Sequence, residues 1–183
     1  MTIEDDMRDS DPKNFIRDPS SGGMHLRRRI NVGILGATGN VGQKLVSLLE
    51  RHPWFEITAV CASDKSSHKT YKEATHWRQG NAMPKDVAKL QVLPAKPDLP
   101  CQIIFSALDG PVAGEIEEEF ARAGYVVISC ARSHRMDAVV PLVIPEVNAD
   151  HLSLVKMQKY SDKGMIVTKP NCAVTGLAIA LRP

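Results

Sequence analysis

Val32-Gly33-Ile34-Leu35-Gly36-Ala37-Thr38-Gly39-Asn40-Val41-Gly42 runs from an apolar stretch through closely spaced glycines into a helical pattern. Ile30 to Leu35 reads as a buried strand, and Val41, Leu45, Leu48 and Leu49 recur at helical spacing on one expected face. A GxxGxxG turn between a strand and a helix marks a nucleotide-binding α/β unit. Gly36 permits the tight turn, Gly39 lets backbone approach a pyrophosphate, and Gly42 lets the helix lie close to the strand. N–H groups at the helix start then face the anion. A glycine-rich turn without a ligand is the competing reading.

Outward from this loop, apolar runs alternate with helical patterns. Ile57 to Cys61, Val87 to Leu93, Gln102 to Leu108, Tyr125 to Ser129 and Met165 to Thr168 read as strands, and Leu142 to Ile144 as extended. Pro111 to Ala123 reads as a helix, with Asp109 or Gly110 to cap it and Gly124 to close it. A second helix is expected from Asn148 to about Asp162, and a third from Asn171 to Leu181. Strands separated by helices imply βαβ units and a mostly parallel sheet. The expected class is α/β, a Rossmann-type doubly wound sheet followed by the start of an α+β domain. Residues 1–29 lack apolar periodicity and read as a disordered extension. Residues 30–147 read as the dinucleotide-binding domain, and 148–183 as the beginning of a second. Tyr71 to Asp86 is polar and irregular, with Trp77 its one large apolar residue, and reads as a surface insertion.

The 183 residues are 43% hydrophobic and 24% charged, with a formal net charge of +2. Near-balance of charge gives no footprint for nucleic acid or an anionic membrane. No apolar run reaches the roughly 18 residues needed to span a bilayer, and the first residues hold no apolar segment of a secretory signal. A cytoplasmic setting is expected. Cys61, Cys101, Cys130 and Cys172 show no CxxC or Cys/His ligand spacing, so no metal site is expected.

About 20 residues past the loop, Ala62-Ser63-Asp64-Lys65-Ser66-Ser67-His68-Lys69 occupies the position that meets the adenosine ribose. Its serines and lysines suit a 2′-phosphate, which favours NADP; Asp64 keeps NAD open. In Thr168-Lys169-Pro170-Asn171-Cys172-Ala173, Pro170 ends a strand, Asn171 caps a helix, and Cys172 falls in the first turn. The helix dipole favours a thiolate there. A structural cysteine is the competing reading. Cys61 and Cys130 read as core.

Together, the glycine loop, Phe105-Ser106-Ala107-Leu108-Asp109, Val140-Pro141-Leu142-Val143-Ile144-Pro145-Glu146-Val147-Asn148 and Asn171-Cys172 resemble the aspartate-semialdehyde dehydrogenase family, in the form found in archaea and fungi. The resemblance runs from about Ile30 to Pro183. It implies NADPH-dependent reduction of L-aspartyl-4-phosphate to L-aspartate 4-semialdehyde and phosphate, a step toward lysine, threonine and methionine. It implies that Cys172 forms a thioester, that Thr38, Gly39, Asn40 and Val41 hold the pyrophosphate, and that Ser63, Lys65 and Ser66 bind the 2′-phosphate. Leu108 and Asp109 would lie near the nicotinamide half. Arg135, with Asn171 beside the thiol, would grip the substrate phosphate.

The family usually carries Asn at the position of Cys130, Ser at Pro170, small hydroxyl residues at Ala173 and Val174, and often Gly at His68. The departures at Cys130 and Pro170 keep open a related thioester-forming reductase, acting on malonyl-CoA or N-acetyl-glutamyl-phosphate. Family members run to roughly twice this length. The remaining half carries the general-base histidine, the clamps on the substrate carboxylate and most of the oligomer interface. No histidine here reads as a substitute base, since His134 and the others sit in polar contexts. The chain alone is therefore expected to turn over little, and a non-catalytic dinucleotide-binding module stays open. The helix after Cys172 is apolar nearly all round, so an exposed apolar patch is expected.

Overall fold

A computed structural model describes residues 15–17, 24–26, 29–63 and 66–182. Most of the stretch expected to be a disordered extension lies outside the described residues. Within it, β1 (Phe15–Arg17) and β2 (Met24–Leu26) pair antiparallel.

The main sheet has six parallel strands. In chain order they are β3 (Ile30–Leu35), β4 (Phe55–Cys61), β5 (Val92–Leu93), β6 (Ile103–Ser106), β7 (Val126–Ser129) and β8 (Met165–Thr168). Their spatial order is β5-β4-β3-β6-β7-β8. The order reverses at β3, with β4 on one side and β6 on the other, so a crevice opens at the carboxyl ends of these strands. A parallel strand is covered on both faces, which is why β3 is apolar almost throughout. Val32, Ile34, Val60 and Val92 pack on one face with Val46, Leu49 and Tyr71. Leu35, Ile104, Val127 and Ile166 pack on the other with Phe120 and Ala121. β8 comes from the stretch expected to open a second domain, yet it extends this same sheet through β7.

Helix α1 (Asn40–Leu49) follows β3 directly. Its buried residues are Gly42, Gln43, Val46 and Leu49. Val41 and Leu48, expected on the inner face, are 50% and 61% exposed. The inward face is turned because Gly42, lacking a side chain, is the residue that can touch the loop. Helix α4 (Gly110–Arg122) covers β7 and β8, with Asp109 as its N-cap residue.

Two local readings are corrected. Val87 to Leu93 is not one strand. A helical turn, α3 (Lys85–Ala88), takes its first half and only Val92–Leu93 pairs with β4. Leu142, in the stretch read as extended, makes a single parallel bridge to Thr168. After the short helix α5 (Pro145–Asn148), the stretch Ala149–Met157 winds as a 3₁₀ helix. Asn148 does not cap it with its side chain. Its side chain instead donates to the Leu142 carbonyl (2.9 Å) and accepts from the Ile144 N–H (2.8 Å), closing the turn behind it.

The segment read as a surface insertion is mostly exposed, but it sends Tyr71 into the core. Thr70 and Glu73 form a reciprocal capping box that starts α2 (Tyr71–Ala74) and drives Tyr71 to zero exposure. The last helix, α6 (Cys172–Leu181), has its expected bounds, and Asn171 Oδ1 accepts from the Ala173 N–H at 2.9 Å.

A methyl group on Gly42 would lie 2.2 Å from the Gly36 carbonyl oxygen and 2.6 Å from Ala37 Cα, both rigid backbone. Gly42→Ala is expected to cost about 2 to 3 kcal/mol. Gly80→Ala meets nothing within 4 Å, and is expected to change stability by less than about 0.5 kcal/mol. Calorimetric melting of the two variants checks this, and equal melting temperatures would contradict it.

Candidate functional site

Because every main-sheet strand runs the same way, the segments expected to carry function leave the sheet along one edge. β4 ends at Cys61, followed by Ser63 and Ser66; β3 ends in the glycine loop; β6 ends at Ser106, followed by Leu108 and Asp109. β7 ends at Ser129, followed by Cys130 and Arg135, and β8 leads to Asn171 and Cys172. The glycine loop and the Cys172 loop are three strand spacings apart, roughly 14 Å at about 4.8 Å each. Lys65, with Asp64, lies outside the described residues.

The glycine loop is a tight turn. Gly36 sits at φ +69°, and a Cβ there would lie 2.5 Å from the Ala107 carbonyl oxygen, so only glycine fits against the β6 loop. The Gly39 N–H donates to the Gly36 carbonyl, and the Gln43 N–H donates to the Gly39 carbonyl as the first bond of α1. The N–H groups of Asn40, Val41 and Gly42 then have no acceptor within the helix. Gly39, Asn40 and Val41 are exposed. This arrangement fits an anion such as a pyrophosphate.

Beside β4, the Ser66 N–H donates to the Ser63 carbonyl at 2.8 Å, so both hydroxyls belong to one turn. His68, where the family often has glycine, holds φ +68°, in the left-handed region that glycine adopts at least cost. Across the crevice, the Asp109 side chain makes no capping bond to α4, although its carbonyl accepts from the Val112 and Ala113 N–H groups.

Arg135 is braced over the far half of the edge. Its Nε donates to the Lys169 carbonyl (3.1 Å) and its Nη2 to the Cys130 carbonyl (2.9 Å). Two of the five guanidinium N–H donors are so engaged, which leaves three for an anion. The turn carrying Arg135 is tied to α4. Ser133 Oγ donates to the Gly110 carbonyl, and the His134 ring lies 3.3 Å from the Gly114 carbonyl oxygen and 2.8 Å from Asp137 Oδ2. His134 is 4% exposed, contrary to the polar surface context expected for it. Beneath it, the fully buried Glu117 accepts from Ser129 Oγ at 2.8 Å. Burial pushes the Glu117 carboxyl up, opposed by the Ser106 and Ser129 hydroxyls and by His134.

Two residues that bond to the glycine loop were not singled out from the sequence. The Tyr71 hydroxyl donates to the Ala37 carbonyl at 2.7 Å, and burial pushes that phenol up to about 12, so it stays a donor. Gln43, 2% exposed, donates to the Thr38 and His76 carbonyls and accepts from the Arg78 N–H. The capping box at Thr70–Glu73 was the available signal that this segment is ordered. No residue-level pattern pairs Gln43 with residues 33 and 35 positions away.

The sequence profile described as "Semialdehyde dehydrogenase, NAD binding domain" matches residues 31–155. The chain belongs to the semialdehyde dehydrogenase family. It is 44% identical over 156 residues to an aspartate-semialdehyde dehydrogenase of Schizosaccharomyces pombe, covering 82% of this chain and 44% of that protein. It is 45% identical over 159 residues to the Archaeoglobus fulgidus enzyme, covering 85% and 46%. The solved structure of aspartate-semialdehyde dehydrogenase from Candida albicans with NADP superposes with a TM-score of 0.79 at 40% identity, covering 84% of this chain and 46% of that one. The chain spans about half the length of the curated relatives it matches.

In this chain the four thiols are free and unequal. Burial pushes Cys61 up to about 12 and Cys101 to about 11, and raises Cys130, whereas Cys172 is exposed at the start of α6. Other large exposed apolar residues follow it on α6: Val174, Leu177, Ile179 and Leu181. Among the described residues, no group of ligating side chains could hold a metal, and no helix is long and apolar enough to cross a membrane. A cavity of about 900 Å³ opens at the opposite, amino-terminal edge of the sheet between Leu49–Ile57 and Asn81–Val87.

A raised thiol affinity for protons leaves less thiolate at any pH below the shifted value. At pH 8, iodoacetamide is therefore expected to alkylate Cys172 at least about tenfold faster than Cys61 or Cys101. Peptide mass spectrometry reads the order, and labelling of Cys61 first would contradict it.

Proposed function

We propose that this chain is the cofactor-binding and nucleophile-bearing part of an NADP-dependent aspartate-semialdehyde dehydrogenase. The observation that carries the reading is the order of groups along one sheet edge. Serine hydroxyls, an anion-binding loop, the Leu108–Asp109 turn, a braced guanidinium and an exposed thiol follow one another from β4 to β8. That order matches the chemical order of a dinucleotide phosphate laid against an acyl phosphate.

Ser63 and Ser66, with Lys65, are proposed to receive the 2′-phosphate, which makes NADP preferred over NAD. Gly36, Thr38, Gly39, Asn40, Val41 and Gly42 hold the pyrophosphate through backbone N–H groups, and Leu108 and Asp109 border the nicotinamide. When bound, the reduced nicotinamide supplies hydride to a carbonyl carbon. Cys172 Sγ attacks the acyl carbon of L-aspartyl-4-phosphate. The bond from that carbon to the phosphate oxygen breaks, and a thioester forms. The three remaining N–H donors of Arg135 take the charge on the departing phosphate. Asn171 fixes the start of α6, and with it the position of Cys172. The apolar surface of α6 supports burial against further protein, either the remainder of a full-length enzyme or a second copy. A cytoplasmic setting and a role in lysine, threonine and methionine synthesis belong to the same proposal. A related thioester-forming reductase is the second reading, favoured by Cys130, whose backbone rather than side chain meets Arg135.

Two measurements test this. By calorimetry the chain is expected to bind NADPH about tenfold or more tightly than NADH, and Ser66→Ala is expected to weaken NADPH about fivefold with NADH unchanged. Tighter NADH binding would contradict it. Mixed with L-aspartyl-4-phosphate, the chain is expected to release phosphate stoichiometrically and gain the mass of an aspartyl thioester, and Cys172→Ala to do neither. Acylation at another residue would contradict it.

A further inference from the structure

A loop that binds an anion through N–H groups must keep its own carbonyl oxygens away from that anion. In this chain two of those carbonyls are held from below by buried side chains from elsewhere. Tyr71, fully buried, donates its hydroxyl to the Ala37 carbonyl at 2.7 Å. A trans peptide plane sets N–H opposite C=O, so holding the Ala37 carbonyl in the core turns the Thr38 N–H out of it. Gln43 Nε2 donates to the Thr38 carbonyl at 2.8 Å, which keeps that plane aligned with the bond from the Gly39 N–H to the Gly36 carbonyl.

Gln43 also does a second thing. The same amide donates to the His76 carbonyl at 3.1 Å, while its Oε1 accepts from the Arg78 N–H at 2.8 Å. Farther along, Ser47 Oγ on α1 donates to Asn81 Oδ1, and Trp77 Nε1 donates to the Asn81 carbonyl. The segment from Thr75 to Asn81 is thus latched along α1. It brings the exposed side chains of His76 and Arg78 to a cavity of about 250 Å³ shared with Thr38, Gly39, Asn40 and Gln43. One wall of this cavity is the anion-binding loop. The facing wall carries a permanent positive charge and an imidazole.

We propose that Tyr71 and Gln43 are positioning residues for the glycine loop, and that the segment they hold forms a second wall in which Arg78 contacts the pyrophosphate of the dinucleotide. The inference rests on the dinucleotide-binding reading above and deepens it. It places Arg78 on the pyrophosphate rather than on a 2′-phosphate, because Thr38 to Asn40 line the cavity and Ser63 and Ser66 do not.

The test is binding of NADPH and of NADH, by fluorescence titration, to the unmodified chain and to Tyr71→Phe, Arg78→Gln, Arg78→Lys and Val92→Ala. Val92 lies in the same buried cluster as Tyr71 but does not line this cavity, so its variant controls for lost stability. Arg78→Gln is expected to weaken both dinucleotides by the same factor, about tenfold for one charge-assisted contact, with Arg78→Lys recovering part of it. Tyr71→Phe is expected to weaken both about fivefold, well beyond Val92→Ala compared at equal distance below each melting temperature. Unchanged binding by Arg78→Gln, a loss confined to NADPH, or a Tyr71→Phe effect no larger than that of Val92→Ala would overturn the inference. An unmodified chain that binds neither dinucleotide would overturn the underlying dinucleotide-binding reading itself, a result distinct from the other three.

Discussion

The carboxyl edge of this sheet depends on how closely α1 approaches the end of β3. At Gly42 the helix comes so near the Gly36 carbonyl that a single added methyl would overlap it. At Gly36 the turn comes equally near the Ala107 carbonyl of the neighbouring β6 loop. These two contacts set the first turn of α1 directly above the point where strand order reverses, with its unpaired N–H groups facing out. A crevice at a switch point exists in any sheet of this order. What suits it to the proposed anion is that backbone, not side chain, reaches its floor.

Polar groups buried along this edge then act as struts. Tyr71 and Gln43 hold the loop, and Ser129, Glu117 and His134 tie the β7 turn to α4. Arg135 bridges that turn to the strand leading to Cys172. Each strut is a side chain bonded far from its own position in the chain, and several are nearly or fully buried. A buried polar group is costly unless it is bonded. These groups therefore fix one arrangement of the edge at the places where the proposed chemistry needs fixed geometry.

The elements most legible in the sequence were those whose neighbours are local. Ile30–Leu35 and Met165–Thr168 have the bounds their apolar runs imply, because glycine or proline closes each run at its carboxyl end. Asn171 and its helix were legible for the same reason, since a cap and its N–H lie two residues apart. The failures share the opposite property. Tyr71 to Asp86 is polar in composition, yet its order comes from bonds to Ala37 and Gln43 that no window of sequence contains. The polar neighbours of His134 imply a polar or surface-like context, but its ring is covered by α4. Hydrophobicity points to Val41 and Leu48 for the buried face of α1, while close contact selects Gly42, the residue with no side chain. Of the candidate site, the residue types and their order were legible. The bracing that holds them was not.

In the proposed complex the dinucleotide lies along the carboxyl edge, with its pyrophosphate over the start of α1. Titrating NADPH into the isotope-labelled chain and following backbone amide shifts tests it directly. The largest changes are expected at Thr38 to Gly42, with further changes at Ser63, Ser66, Leu108 and Asp109. Shifts concentrated instead around Arg29, His52 and Met83, at the larger cavity on the amino-terminal edge, would contradict it.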